Sequence, residues 1–207
     1  MAFFCYDNSM DSLNKRSNKL LWIALLVFGL SCLIIIGYYW LFGGYFGNSS
    51  LTISIFVGLQ LWSVLLFCAV NIVIAIMILN YILTYAKIRS FLWRFLMIAF
   101  VIAYIGLSVA AKTPDNEMMT ATHQFFSHSL FLIISLITLY TILVAKDKLT
   151  RLVATIIACY AVFFITSYLS RADYLMNGIL WYESAFIVAF FVLVITSNRL
   201  KLGKTEE

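Results

Sequence analysis

The stretch at residues 20–42, LLWIALLVFGLSCLIIIGYYWLF, has no charged residue and is long enough to cross a membrane as one helix. At 1.5 Å per residue, about 20 apolar residues span a hydrocarbon core roughly 30 Å thick. Further apolar stretches follow at 57–83, 91–111, 125–145, 152–169 and 179–197. Because lipid offers no hydrogen-bond partners, each span must satisfy its own backbone. The sequence therefore predicts an all-α polytopic membrane protein, a bundle of six transmembrane helices.

The composition agrees with this class of protein. Of the 207 residues, 64% are hydrophobic and 11% are charged, whereas about a quarter of the residues in soluble domains are charged. We predict one transmembrane domain at 20–197 between short tails at 1–19 and 198–207. The first span exceeds the roughly 7–15 apolar residues of a signal peptide and lacks a small-residue cleavage motif, so we expect a retained helix.

Lysine and arginine are unevenly distributed over the two sides of the predicted bundle. When the connections are assigned alternately, only Lys112 and Arg171 fall on one side. Because cytoplasmic loops favour lysine and arginine, we predict a multi-pass protein of the cell inner membrane with both termini in the cytoplasm. The twelve residues of the basic side are Lys15, Arg16, Lys19, Lys87, Arg89, Arg94, Lys146, Lys148, Arg151, Arg199, Lys201 and Lys204.

The basic clusters also indicate the partners. Each basic residue near an anionic bilayer surface contributes about 1 kcal/mol of attraction, so membrane lipids are the expected partners. A protein partner or a second copy of the chain stays open. No basic helix with interleaved aromatics is present, and we expect no nucleic acid partner.

The cysteines and histidines predict no cofactor and no metal. Cys5, Cys32, Cys68 and Cys159 form no Cys-x-x-Cys pair, and the two histidines lack metal-binding spacing. Since His123 and His128 would differ by about 140° around a helix, one helix cannot direct both at a single haem iron.

The outer side, opposite the basic one, carries the groups best suited to chemistry. An ionisable group within a span is costly to insert, which makes it a candidate for function. His128 and Glu183 should both lie roughly 6–9 Å below the outer end, so we expect them to approach each other. The catalytic candidates are His128 or His123 as general base, with Glu183 or Asp115 orienting it. Alternatively, both groups reach up to the interface or form one structural hydrogen bond.

Polar residues also recur on single helix faces. At 100° per residue, Gln60 and Asn71 differ by about 20° on the second span, as do His128 and Ser135 on the fourth. We predict that these two faces meet and line a ligand site, although interhelical hydrogen bonding is the simpler use. The ligand-binding candidates are Gln60, Asn71, His128, Ser135, Arg171 and Glu183.

A few of these positions carry a family resemblance. They are Thr113-Pro114-Asp115 after the third span, His123 before the fourth, and Gly178 followed by Glu183 at the sixth. Here the chain resembles a bacterial family of six-helix membrane proteins, a domain of unknown function distantly related to the Frag/DRAM/Sfk group. Ser184 stands where that family has a basic residue. The resemblance implies six helices with both ends cytoplasmic, and it implies no activity.

Three functions remain open from the sequence. The first is a lipid or small-ligand binder, or an accessory subunit, with a polar site on the outer side. The second is an intramembrane lipid-modifying enzyme that uses a His/carboxylate pair. The third is a small proton-linked transporter using Glu183 and His128. Against transport, the single proline, Pro114, lies outside the spans, and no internal repeat is visible.

Overall fold

The computed structural model describes residues 2–48, 50–84, 90–110, 117–173 and 177–197. Six of its helices are long and apolar enough to cross a membrane, which confirms the predicted all-α fold with six candidate spans. A further helix, α2, is too short to do so. The helices are α1 (Ala2–Leu41), α2 (Ile53–Gly58), α3 (Leu61–Thr84), α4 (Phe91–Val109), α5 (Glu117–Val144), α6 (Lys148–Leu169) and α7 (Ile179–Ser197).

The spanning helices form a closed ring in chain order. α1 packs against α3, α3 against α4, α4 against α5, α5 against α6, α6 against α7, and α7 returns to α1. α5 also contacts α7 across the ring, and α2 packs against α1, α3 and α7. Short connections make successive helices antiparallel, so α2 marks one end of the bundle, the α2 end. The opposite, basic end carries Arg16, Lys19, Arg94, Lys146, Lys148 and Arg151.

Side chains cap two of the helices where they begin at the basic end. Ser90 Oγ accepts the Trp93 amide hydrogen at 3.2 Å before α4. Asp147 Oδ2 accepts the Thr150 amide hydrogen at 2.9 Å before α6. The first amides of a helix lack partners within it, so these caps define where each span starts.

The second span was predicted at 57–83, and its predicted start is wrong. α2 ends at Gly58 and α3 begins at Leu61, so the chain turns between them. Ser63 Oγ lies 2.8 Å from the carbonyl oxygen of Val57 and 3.0 Å from the Tyr39 hydroxyl oxygen. The break leaves the Val57 carbonyl without a partner within a helix, and the Ser63 hydroxyl donates to it instead. The sequence is apolar on both sides of this turn, so its hydropathy does not reveal it.

α4 and α5 approach each other closely at Gly106. A Cβ atom built on Gly106 would lie 2.4 Å from the ring of Phe126. In lipid, small residues permit such approach of two helices, where apolar burial alone gives little driving force. Gly29 and Gly37 of α1 differ, because a Cβ atom on either meets nothing within 4 Å.

Candidate functional site

A cavity lies inside the ring, in the half next to α2. Its volume is about 100 Å³, which is below the roughly 300–1,000 Å³ of sites for drug-sized ligands. α2 and every spanning helix except α6 contribute lining residues. α5 and α7 contact each other, which separates α6 from the cavity.

The polar lining residues gather at the α2 end. Ser108 is one residue from the end of α4, and Glu183 is four residues into α7. At 1.5 Å per residue, Glu183 lies about 6 Å below the start of its helix. We call these residues the polar mouth: Ser54, Ser108, His123, Ser127 and Glu183.

The deeper lining is largely aromatic. The rings of Phe100 and Phe190 lie 4.5 Å apart between centroids and join α4 to α7 across the ring of helices. Both side chains are buried, and they lie about 14–17 Å from the α2 ends of their helices. We call this pair the aromatic floor, which is near the middle of a roughly 30 Å core. The aromatic lining residues are Phe28, Phe67, Phe100, Tyr104, Phe131, Phe186, Phe190 and Phe191.

Glu183 connects α7 to α2 at the mouth. Its Oε2 atom accepts the amide hydrogen of Ile53, the first residue of α2, at 3.2 Å. Thr52 Oγ1 accepts the Ile55 amide hydrogen at 3.3 Å in the same first turn. A carboxylate is favourable at a helix amino terminus, because the amides there point outward and the helix dipole is positive. Glu183 thus holds α2 over one side of the cavity.

His123 closes the carboxyl end of α4. Its Nδ1 atom is 2.6 Å from the carbonyl oxygen of Ala110, and the side chain is buried. A carbonyl oxygen can only accept, so Nδ1 carries the hydrogen. In the neutral ring, Nε2 is then the acceptor. The mouth therefore contains a carboxylate and a histidine whose Nδ1 donates to the end of α4.

The structure does not bring together the predicted pair of His128 and Glu183. The His128 side chain is exposed and is not among the lining residues, whereas His123 and Glu183 both line the cavity. Similar depth was the basis of the prediction, but depth does not determine which face of a helix a residue occupies. His123 and His128 lie on different faces of α5, and it is His123 that faces inward.

The predicted meeting of the second and fourth spans is wrong. α4 lies between α3 and α5 in the ring, and α3 and α5 make no contact. Gln60 is exposed, precedes α3 and accepts the Trp62 Nε1 hydrogen at 2.7 Å. Ser135 donates to the carbonyl of Phe131 in its own helix at 2.9 Å. Neither residue lines the cavity.

Asn71 is instead buried between α3 and α4. The Tyr104 hydroxyl donates to its Oδ1 atom. Nδ2 of Asn71 is buried and has no hydrogen-bond partner among the described residues. Tyr104 lines the cavity, so Asn71 supports the wall without reaching the mouth.

Arg171, a further predicted residue, does not contribute to the mouth. Arg171 is exposed just after α6, with a left-handed φ of 51°, and is not among the lining residues. Asp115, with the rest of the Thr113-Pro114-Asp115 motif, lies outside the described residues. In the part of the chain that is described, no three His, Cys, Asp or Glu side chains are arranged to hold a metal ion.

Sequence reasoning missed Ser54, Ser108 and Ser127, which no motif or spacing distinguishes from the other serines of the chain. The fold and cavity define a polytopic helical membrane protein with an internal cavity that is polar at one end. No protein-family model, curated protein or solved structure matches the chain.

Proposed function

We propose that the protein binds an amphipathic ligand, a lipid or a lipid-like small molecule. The ligand's apolar chain occupies the cavity and its polar end lies at the polar mouth. The observation that carries this proposal is the polarity gradient within one cavity, from Glu183 and His123 at the mouth to Phe100 and Phe190 at the floor. Ligand sites are typically apolar with a few convergent polar groups, and this cavity has that composition.

The depth of the cavity suits one alkyl chain. Glu183 and Phe190 are seven residues apart on α7, which is about 10 Å along the helix axis. His123 and Ile134 are eleven residues apart on α5, or about 16 Å. These lengths match roughly half of a hydrocarbon core about 30 Å thick. A chain in the cavity would extend as far as the tails of one leaflet.

A tryptophan at Ser127 tests ligand binding. Ser127 lines the mouth, so the indole of Ser127→Trp is expected to fill space that the ligand needs. Affinity for a dodecyl-chain probe should fall about tenfold or more, equivalent to about 1.4 kcal/mol. Equilibrium binding of a radiolabelled probe to purified protein in nanodiscs measures the loss.

Ser129→Trp is the matched control, because Ser129 lies two residues further along α5 and does not line the cavity. Its binding should equal that of the unmodified protein. Equal affinity in both variants would place the ligand elsewhere. No saturable binding by the unmodified protein would remove the proposal.

An intramembrane lipid-modifying enzyme is a second candidate. It is favoured by the presence of His123 and Glu183 in one cavity, with His123 as general base and Glu183 orienting it. Mass spectrometry of lipids incubated with the purified protein separates the two functions. Conversion that His123→Gln abolishes supports catalysis, whereas recovery of unchanged lipid supports binding alone.

We also propose that the α2 end faces outward and that both termini are cytoplasmic in the cell inner membrane. An even number of spans returns the chain to the side on which it began, and the described lysines and arginines other than Arg171 lie at the basic end. In a cysteine-free background, a membrane-impermeant maleimide should label Glu117→Cys in intact cells. Lys148→Cys should be labelled only after permeabilisation. The reverse pattern would invert the topology.

A further inference from the structure

We propose that Arg94 binds the phosphate group of an anionic phospholipid at the basic end of the bundle. This site lies at the opposite end from the cavity, so it does not depend on the proposed ligand binding. It also differs from a general attraction of basic residues to the membrane, because it assigns the contact to one arginine within a span.

Arg94 lies at the boundary between the hydrocarbon core and the headgroups. It is three residues after Phe91, the first residue of α4, and is therefore about 5 Å inside the helix. Long side chains of a helix lean toward its amino terminus, which for α4 is at the basic end. The stem of Arg94 can thus lie in the apolar layer while its guanidinium reaches the level of the lipid phosphates.

The guanidinium of Arg94 has no counter-charge in the part of the chain that is described. Its Nε atom is buried without a hydrogen-bond partner, and no described residue supplies an acceptor to its two Nη atoms. Asp147 is an acid at the same end, but it caps α6, which does not contact α4. Asp7 and Asp11 precede the span of α1, which does not contact α4 either. A partly buried charge without a partner is costly, so an anion from outside the chain would be stabilised at Arg94.

The face of α4 that carries Arg94 is open to lipid. Phe91 and Ile98 lie about one turn to either side of Arg94 on this face, and both side chains are exposed. Arg94 itself is only half-buried, so its Nη atoms, unlike Nε, can meet a partner from outside. A phospholipid whose acyl chains pack on Phe91 and Ile98 would place its phosphate beside the guanidinium. The two parallel N–H donors of an arginine match two oxygens of a phosphate.

The neighbouring basic residues favour a headgroup with net negative charge. Lys146 and Lys148 follow α5, which packs against α4, and both are exposed at the basic end. Their charge would repel the ammonium group of a zwitterionic headgroup but attract an anionic one. We therefore expect a lipid such as phosphatidylglycerol in preference to phosphatidylcholine.

Binding of these two lipids to the purified protein tests the site. Both carry a phosphate, but only phosphatidylglycerol has a net negative charge. The protein is held on an affinity resin in micelles of a non-ionic detergent, radiolabelled lipid is titrated, and the signal of empty resin is subtracted. At about 1 M NaCl the Debye length is about 3 Å, so attraction between exposed charges is screened and a direct contact is not. We expect saturable binding of phosphatidylglycerol, about tenfold tighter than that of phosphatidylcholine.

Arg94→Gln should remove this preference. Affinity for phosphatidylglycerol should fall about tenfold, to the value for phosphatidylcholine. Arg16→Gln is the matched control, because it removes the same charge from an exposed arginine at the same end, before the span of α1 begins; its affinity should equal that of the unmodified protein. Equal losses in the two variants, no loss in either, or no preference in the unmodified protein would each overturn the site.

Arg94→Lys is a second variant, for the case that glutamine at this position prevents folding. It keeps the charge but loses the paired donors, so affinity for phosphatidylglycerol should fall about threefold. Unfolding in mixed micelles of increasing denaturing-detergent fraction shows whether each variant is folded. Phosphatidylglycerol should stabilise the unmodified protein more than the lysine variant, since a ligand stabilises a fold in proportion to its affinity. If the glutamine variant is unfolded, unchanged affinity in Arg94→Lys overturns the proposal.

Discussion

Gly106→Ala is expected to lower the free energy of unfolding by about 1–3 kcal/mol, the usual cost of overpacking a close helix contact. The added Cβ atom would lie 2.4 Å from the ring of Phe126, so either the ring or the α4–α5 contact must shift. His123 on α5 bonds to Ala110 at the end of α4, and a shift would disturb that bond as well. Unfolding of the purified protein in mixed micelles of increasing denaturing-detergent fraction measures the change.

Two glycines of α1 serve as matched controls. Gly29→Ala and Gly37→Ala introduce the same methyl group where nothing lies within 4 Å, so stability should change by no more than about 0.5 kcal/mol. Phe126→Ala in the Gly106→Ala background should restore part of the loss, because the obstructing ring is gone. Equal stability of the three alanine variants would show that α4 and α5 do not meet closely at Gly106.

Tyr104→Phe is expected to cost about 1–2 kcal/mol, since it removes the hydroxyl that donates to Asn71 and leaves that buried amide without a partner. Asn71→Leu combined with Tyr104→Phe should be more stable than Tyr104→Phe alone, because no buried polar group then remains unpaired. The same detergent unfolding measurement applies to both.

Tyr140→Phe provides the comparison for this prediction. The Tyr140 hydroxyl also bonds a side chain, Ser90, but that contact is exposed at the basic end. Water or lipid headgroups can replace it, so the loss should stay within about 0.5 kcal/mol. If the double variant Asn71→Leu with Tyr104→Phe is no more stable than Tyr104→Phe alone, Asn71 and Tyr104 contribute to stability through packing and not through their hydrogen bond.

Hydropathy was sufficient to predict the six spans, because length and apolarity are what the bilayer requires of a helix. It could not reveal the break between α2 and α3, since Leu59 and the residues beyond Gln60 continue the apolar run. The break depends on contacts from elsewhere in the chain, such as Tyr39 to Ser63. Residues distant in sequence decide such a feature, and no local pattern records them.

The sequence predicted that a histidine and a carboxylate would lie near each other on the outer side, but not which positions line the cavity. The cost of inserting an ionisable side chain into a membrane made Glu183 a candidate, and Glu183 lines the cavity. The choice between His123 and His128 depends on which face of α5 turns inward, and that face is set by packing against α4 and α6. Gln60 is absent from the cavity lining for another reason: it lies in the turn between α2 and α3, where the helical spacing of 100° per residue does not apply.

The aromatic floor has a consequence for passage through the bundle. Phe100 and Phe190 are in contact across the bundle, so a ligand that moved from the cavity toward the basic end would have to pass between their rings. A carrier would need α4 and α7 to separate at these two rings while the mouth closes. In this conformation the pair stands between the cavity and the basic end of the bundle.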